Sequence, residues 1–62
     1  MKIYNYKSGA LVTFEKSNPP FGMYTVMIRN PGGEVHDKIR CNTYSDALDY
    51  LRSFKKIARG MK

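Results

Sequence analysis

The sequence predicts an α+β fold: an antiparallel sheet of three to four strands, built from two hairpins, with one C-terminal helix packed on one face (ββββα). Three features predict it. Residues 44 to 58 carry apolar side chains at helical spacing, two β-rich runs flank Asn30-Pro31-Gly32-Gly33, and two more short runs meet at Ser8-Gly9. A sheet that is oily on one side must bury that side, and a single helix is the shortest cover for it. Sixty-two residues allow one small domain over 1–62 with one core.

The helix is the clearest element. Tyr44, Ala47, Leu48, Leu51, Phe54 and Ala58 recur with a 3.6-residue period, while Asp46, Asp49, Arg52, Lys56 and Arg59 fall mostly on the other side. Thr43 is the expected N-cap, with Asp46 three residues on, and Gly60 is the expected stop.

For the central hairpin, Met23 to Arg29 and Glu34 to Cys41 are the strands and Asn30 to Gly33 a four-residue loop. Setting Arg29 opposite Glu34 pairs Ile28 with Val35, Val26 with Asp37, Tyr24 with Ile39 and Gly22 with Cys41. That register gathers the apolar residues on one side, whereas a one-residue slip would set Val26 against Lys38. Helix residues Ala47, Leu51 and Phe54 are then expected to cover Tyr24, Val26, Ile28, Val35 and Ile39.

The N-terminal hairpin joins Ile3–Lys7 to Ala10–Lys16. A two-residue turn at Ser8-Gly9 would pair Lys7 with Ala10, placing Ile3, Phe14, Asn5 and Val12 on one face and Tyr4, Tyr6 and Leu11 on the other. Ser17-Asn18-Pro19-Pro20 cannot continue a central strand and is expected to link the hairpins.

Composition narrows the function. Eleven Lys and Arg against five Asp and Glu give a net charge of +6, which favours a polyanionic or acidic partner. With 42% hydrophobic residues the chain is too apolar for a disordered basic tail. Cys41 is the only cysteine and His36 the only histidine, so neither an intrachain disulfide nor a Cys/His zinc site can form. A lone thiol fits a cytoplasmic location. The apolar stretches Ala10–Val12 and Met23–Ile28 fall far short of the roughly 20 residues that span a bilayer. An export signal, a membrane partner and a small-molecule substrate are not expected.

Catalytic parts are missing from the pattern. Cys41 and His36 are five apart on one predicted strand and so face opposite ways, and the carboxylates form no compact cluster. The glycines lack the spacing and following helix of a phosphate-cradling loop. The expectation is a protein that is not an enzyme and has no cofactor or metal.

The predicted outer face of the central hairpin is more informative. It holds Met23, Thr25, Met27 and Arg29 on one strand and Glu34, His36, Lys38 and Arg40 on the other. Arg and Lys on a two-stranded ribbon can reach base edges and phosphates in the DNA major groove. Met23 and Met27 suit either an adaptable protein-binding surface or burial beneath the N-terminal hairpin. Two further basic features stand apart in the sequence. Arg52, Lys55, Lys56, Arg59 and Lys62 crowd the end of the helix, where cations complement its dipole and could also hold phosphates. Lys2, Tyr4, Tyr6 and Lys7 interleave aromatic and basic side chains, as single-strand-binding surfaces do.

From Gly22 to Ile57 the chain resembles the sheet-then-helix DNA-binding domains of plant ethylene-response regulators and of phage or transposon integrase arms. Tyr24, Val26 and Ile28 lead into a Pro-Gly-Gly turn, a basic strand returns, and Thr43-Tyr44-Ser45-Asp46-Ala47 is similar to the Thr-x-x-acidic-Ala that opens the family's helix. The resemblance implies a sheet face in the major groove, with Arg29, Lys38 and Arg40 contacting bases or phosphates and Thr25 and His36 in support. By type, the small basic chain is also similar to the proteins with which bacteriophages and mobile elements disable host machinery, RNA polymerase inhibitors and anti-CRISPR proteins among them. The leading expectation is a small non-enzymatic DNA-binding module. The alternative is an inhibitor that blocks an acidic surface of a host nucleic-acid-processing protein. Both use Thr25, Met27, Arg29, His36, Lys38 and Arg40, with Arg52, Lys56 and Arg59 as further contacts.

Overall fold

A computed structural model describes residues 1–17 and 23–61. The elements run β1 (Lys2–Asn5), β2 (Leu11–Lys16), β3 (Tyr24–Arg29), β4 (Val35–Cys41) and α1 (Tyr44–Gly60). The strands form one antiparallel sheet in the order β1-β2-β3-β4, and α1 packs across one face. This is the expected ββββα architecture. Asn18, Pro19 and Pro20 of the expected inter-hairpin linker, and Gly22 of the expected Gly22–Cys41 pair, lie outside the described residues. No described helix is long and apolar enough to cross a membrane.

The helix forms where its periodicity places it. Thr43 is extended, and its Oγ1 accepts a hydrogen bond from the Asp46 N–H at 3.2 Å, satisfying one of the amides that the first turn leaves unpaired. Ala47, Leu51, Phe54 and Ala58 are the buried stripe. The expected stop at Gly60 is off by one residue: Gly60 is the last helical residue, and the cap is Met61, whose N–H donates to the Ala58 carbonyl at 3.2 Å.

Both hairpins turn through three residues, a different loop length from the expected one in each case. In the first, the Tyr6 N–H donates to Ala10 O and the Gly9 N–H to Tyr6 O, both at 3.0 Å, with Gly9 at φ 97°. The second repeats this geometry: the Asn30 N–H donates to Glu34 O and the Gly33 N–H to Asn30 O, both at 2.8 Å, with Gly33 at φ 93°. A three-residue loop closed by a glycine at positive φ is a standard hairpin solution, and such a backbone strongly disfavours any residue with a Cβ.

The extra loop residue moves the β1–β2 register by one. Lys2 faces Phe14, Ile3 faces Thr13, Tyr4 faces Val12 and Asn5 faces Leu11. The expected faces are therefore exchanged: Tyr4 and Tyr6 pack against the core with Val12 and Phe14, while Ile3 stands 56% exposed. The reason is that a residue added to the turn inverts every side chain of one strand relative to its partner.

The β3–β4 register differs from expectation by two residues, and parity survives. Tyr24 faces Cys41, Thr25 Arg40, Val26 Ile39, Met27 Lys38 and Ile28 Asp37, while Arg29 faces Val35. One residue of the shift comes from the turn. The other comes from a bulge, where His36 has no residue opposite it. Val35 lies on the turn side of this bulge and shares the face of Arg29, so it is 50% exposed instead of lying under the helix as expected. By the same inversion, Glu34 pairs across from Asn30 and does not join the outer row.

The core consists of fully buried Val12, Val26 and Ile28 with Ala10 and Cys41 from the sheet side, closed by Ala47, Leu51, Phe54 and Ala58 from α1. At the helix N-terminus, Phe14, Tyr24 and Tyr44 form a triangle of rings with centroids 5.6–6.1 Å apart, edge-to-face or tilted. Truncating Phe54 to Ala should cost about 3–5 kcal/mol. That is most of the stability of a domain this small, so the variant should show no cooperative urea transition. At Gly9 an added Cβ would sit 3.1 Å from the Pro31 carbonyl of the neighbouring turn, whereas at Gly33 it would meet nothing within 4 Å. Both Ala variants bear the strained backbone, about 1–2 kcal/mol. Urea titration should therefore rank Gly9→Ala as the more destabilised of the two.

Candidate nucleic-acid interface

The helix covers one side of the sheet, and no other described element covers the opposite side. On that outer side, alternation along β2, β3 and β4 sets two cross-strand rows: Thr13, Met27 and Lys38, and next to it Glu15, Thr25 and Arg40. With Ser17 these residues line a shallow depression of about 340 Å³. Met27 is half-buried on its floor, between Thr13 and Lys38, while Lys38 and Arg40 are exposed on the edge strand β4. Two residues apart on one strand, the two cations are separated by about 6.8 Å along the chain and point the same way.

Four of the sequence-derived candidates, Thr25, Met27, Lys38 and Arg40, are thus brought together. Arg29 lies on the same face nearer the turn, and its Nη1 donates to the Gly33 carbonyl at 2.8 Å, which ties the guanidinium back onto its own hairpin. His36 sits at the bulge, exposed and outside the depression. The continuous ribbon face running from Met23 to Arg29 and Glu34 to Arg40 is therefore interrupted at the turn end, because the bulge restores parity only beyond His36. Met27 is not beneath the N-terminal hairpin: β1 and β2 extend the sheet sideways instead of folding over it. Arg52, Lys56 and Arg59 lie on α1, in the other layer.

Thr13 and Glu15 were missed as site residues. Nothing in the strand pattern alone states which edge of the central hairpin β2 will join, and it is the β2–β3 register that brings Thr13 beside Met27 and Glu15 beside Thr25. Glu15 matters most, since it puts a carboxylate in the row of Arg40.

Among the described residues no group of three or more His, Cys, Asp and Glu is gathered closely enough to hold a metal ion. Cys41 is buried, and that burial, followed by the nearby negative charge of Asp46, raises its thiol pKa above the ordinary value. No family model, curated protein or solved structure matches the chain.

The raised thiol pKa has a sign. The unfolded chain loses the Cys41 proton first, so stability is unaffected below the ordinary thiol pKa and falls as pH rises through the window up to the folded value. Alkylation with iodoacetamide should begin at higher pH in the native protein than in urea, and at pH 8 should be slower in the native protein.

Proposed function

We propose that the protein is a non-enzymatic DNA-binding module whose outer sheet face, at the β3–β4 edge, lies against the duplex. The observation that carries this reading is the outer face, free of any other described element, on which Lys38 and Arg40 stand side by side next to the hydrogen-bonding Thr25. Because β4 is the edge strand, these cations project where a two-stranded ribbon can enter a major groove about 12 Å wide. Lys38 and Arg40 supply phosphate or guanine contacts, Thr25 a hydroxyl, and Met27 an adaptable apolar contact of the kind that meets a thymine methyl. The net charge of +6 adds a long-range, salt-sensitive attraction. Arg29, already bonded to Gly33, contributes charge at the margin.

A second reading rests on the mixed character of the same depression. Lys38 and Arg40 suit the acidic surface of a nucleic-acid-processing protein, half-buried Met27 gives it an apolar contact and Glu15 can meet a cation at its margin, so that the face would act as a block. The occupants respond oppositely to Glu15: a polyanion is repelled by it, whereas a docked protein with its own cations can pair with it.

Duplex affinity should fall steeply with salt. If about five phosphates are contacted, log K against log salt should have a slope near −4.5. Replacing Lys38 and Arg40 together with Ala should shorten that slope by about two. Glu15→Gln should strengthen duplex binding severalfold in the same titrations. Absence of duplex affinity at low salt would remove the DNA reading.

A further inference from the structure

The five acidic residues of the chain, Glu15, Glu34, Asp37, Asp46 and Asp49, all lie between positions 15 and 49. The first fourteen residues and the last thirteen contain no carboxylate side chain, yet they carry Lys2, Lys7, Arg52, Lys55, Lys56, Arg59 and Lys62, seven of the eleven cations. The fold brings side chains of the first segment beside those of the described part of the second, residues 50–61. Lys55 Nζ stands 3.8 Å above the ring of Tyr4 on β1, and Lys7 and Arg59 line one recess of about 200 Å³ with Tyr6, Ser8, Ala58 and Met61.

The arrangement on the helix is regular. Arg52, Lys55 and Arg59 each follow a buried residue, Leu51, Phe54 and Ala58, by one position, so they form a stripe about 100° around the helix from the core face. Lys56 is four residues after Arg52 and continues the stripe on its solvent side. One described ion pair touches it, Arg52 with Asp49 at 3.6 Å, and both partners are more than 70% exposed, so the pairing neutralises little. Tyr4 is not an open stacking platform, because Lys55 occupies a face of its ring. What the flank offers is therefore positive charge for phosphates, without base readout.

This flank and the outer sheet face are different surfaces, with the sheet between them. The molecule measures 35 × 18 × 16 Å, and duplex DNA, with a persistence length of about 150 base pairs, does not wrap so small a body. One duplex cannot lie on the outer face and also follow the helix flank. Resting on the proposed DNA binding at the outer face, we propose that the β1–α1 flank is a second, sequence-independent phosphodiester-binding surface, so that a single chain bridges two duplexes.

The experiment mixes two duplexes, one carrying a donor fluorophore and one an acceptor, with the full chain at low salt. Energy transfer should rise with added protein, peak near one chain per two duplexes, and collapse when protein is in excess. The flank variant Arg52→Glu/Lys56→Glu/Arg59→Glu should still bind a single duplex, more weakly because its net charge falls to zero, and should lose the transfer even at protein concentrations that saturate one duplex. Thermal melts by circular dichroism check that the variant is folded, and single flank substitutions, each expected to weaken transfer in part, serve if it is not. Duplex binding without transfer at any ratio overturns the bridging. Transfer that survives in the folded flank variant also overturns it, since bridging would then come from paired copies of the outer face. Loss of all binding in Lys38→Glu/Arg40→Glu with the flank intact would likewise refute an independent second surface. If the wild type binds no duplex, the outer-face reading fails together with the bridging. If duplex binding survives Lys38→Glu/Arg40→Glu undiminished but is abolished in the flank variant, the outer-face reading fails while phosphate binding by the flank stands.

Discussion

The alternation of β3 is the constraint on which the rest of the molecule depends. Val26 and Ile28 are fully buried beneath α1, and a strand cannot turn these two inward without turning Thr25 and Met27 outward. β3 is also flanked on both sides, by β2 and by β4, so its choice of faces propagates across the sheet. Each neighbour must bring its own apolar set, Val12 and Phe14 on one side and Ile39 and Cys41 on the other, to the same layer. Whatever remains is left on the open face, and that remainder includes Lys38 and Arg40.

The bulge at His36 shows how strong the constraint is. A three-residue turn alone would have set the β4 residues one position out of phase, carrying Lys38 and Arg40 toward the helix and Ile39 and Cys41 toward water. One unpaired residue in β4 corrects the phase before the core begins. The same bulge makes β4 a poor template for edge-to-edge pairing. Asp37 Oδ1 also takes the Lys38 N–H at 2.8 Å, and the strand carries charges along its length.

Charge follows the same division into layers. The buried set among the described residues is apolar, so no core contact depends on an ion pair. The cations are free to be distributed by other pressures, and they gather in two places, the β4 edge of the open face and the β1–α1 flank. The first is moderated by Glu15, and the second is drawn from the two acid-free ends of the chain. On the proposed reading, one surface is suited to grooves and the other to the backbone.

Much of this was legible in the sequence, for reasons that differ from element to element. The helix was legible because its signals are local: a 3.6-residue period, a threonine cap and an apolar stripe need no partner to be recognised. The inward and outward faces of the central hairpin were legible because a one-residue slip would set Val26 against Lys38 and Tyr24 against Arg40. The N-terminal hairpin was not, since Ser8-Gly9 serves a two-residue or a three-residue turn equally well, and that single residue exchanges Ile3 for Tyr4 in the core. Val35 was misplaced because a bulge leaves no local mark in a strand, and Glu15 was missed because strand order is not written in either hairpin. The amino-acid sequence by itself determined the elements, the two-layer class and the excess of positive charge, all of which depend on neighbours along the chain. Only the tertiary structure decided which residues share a surface, because turn length, the bulge and the joining of β2 to β3 are chosen by the packing of the whole core.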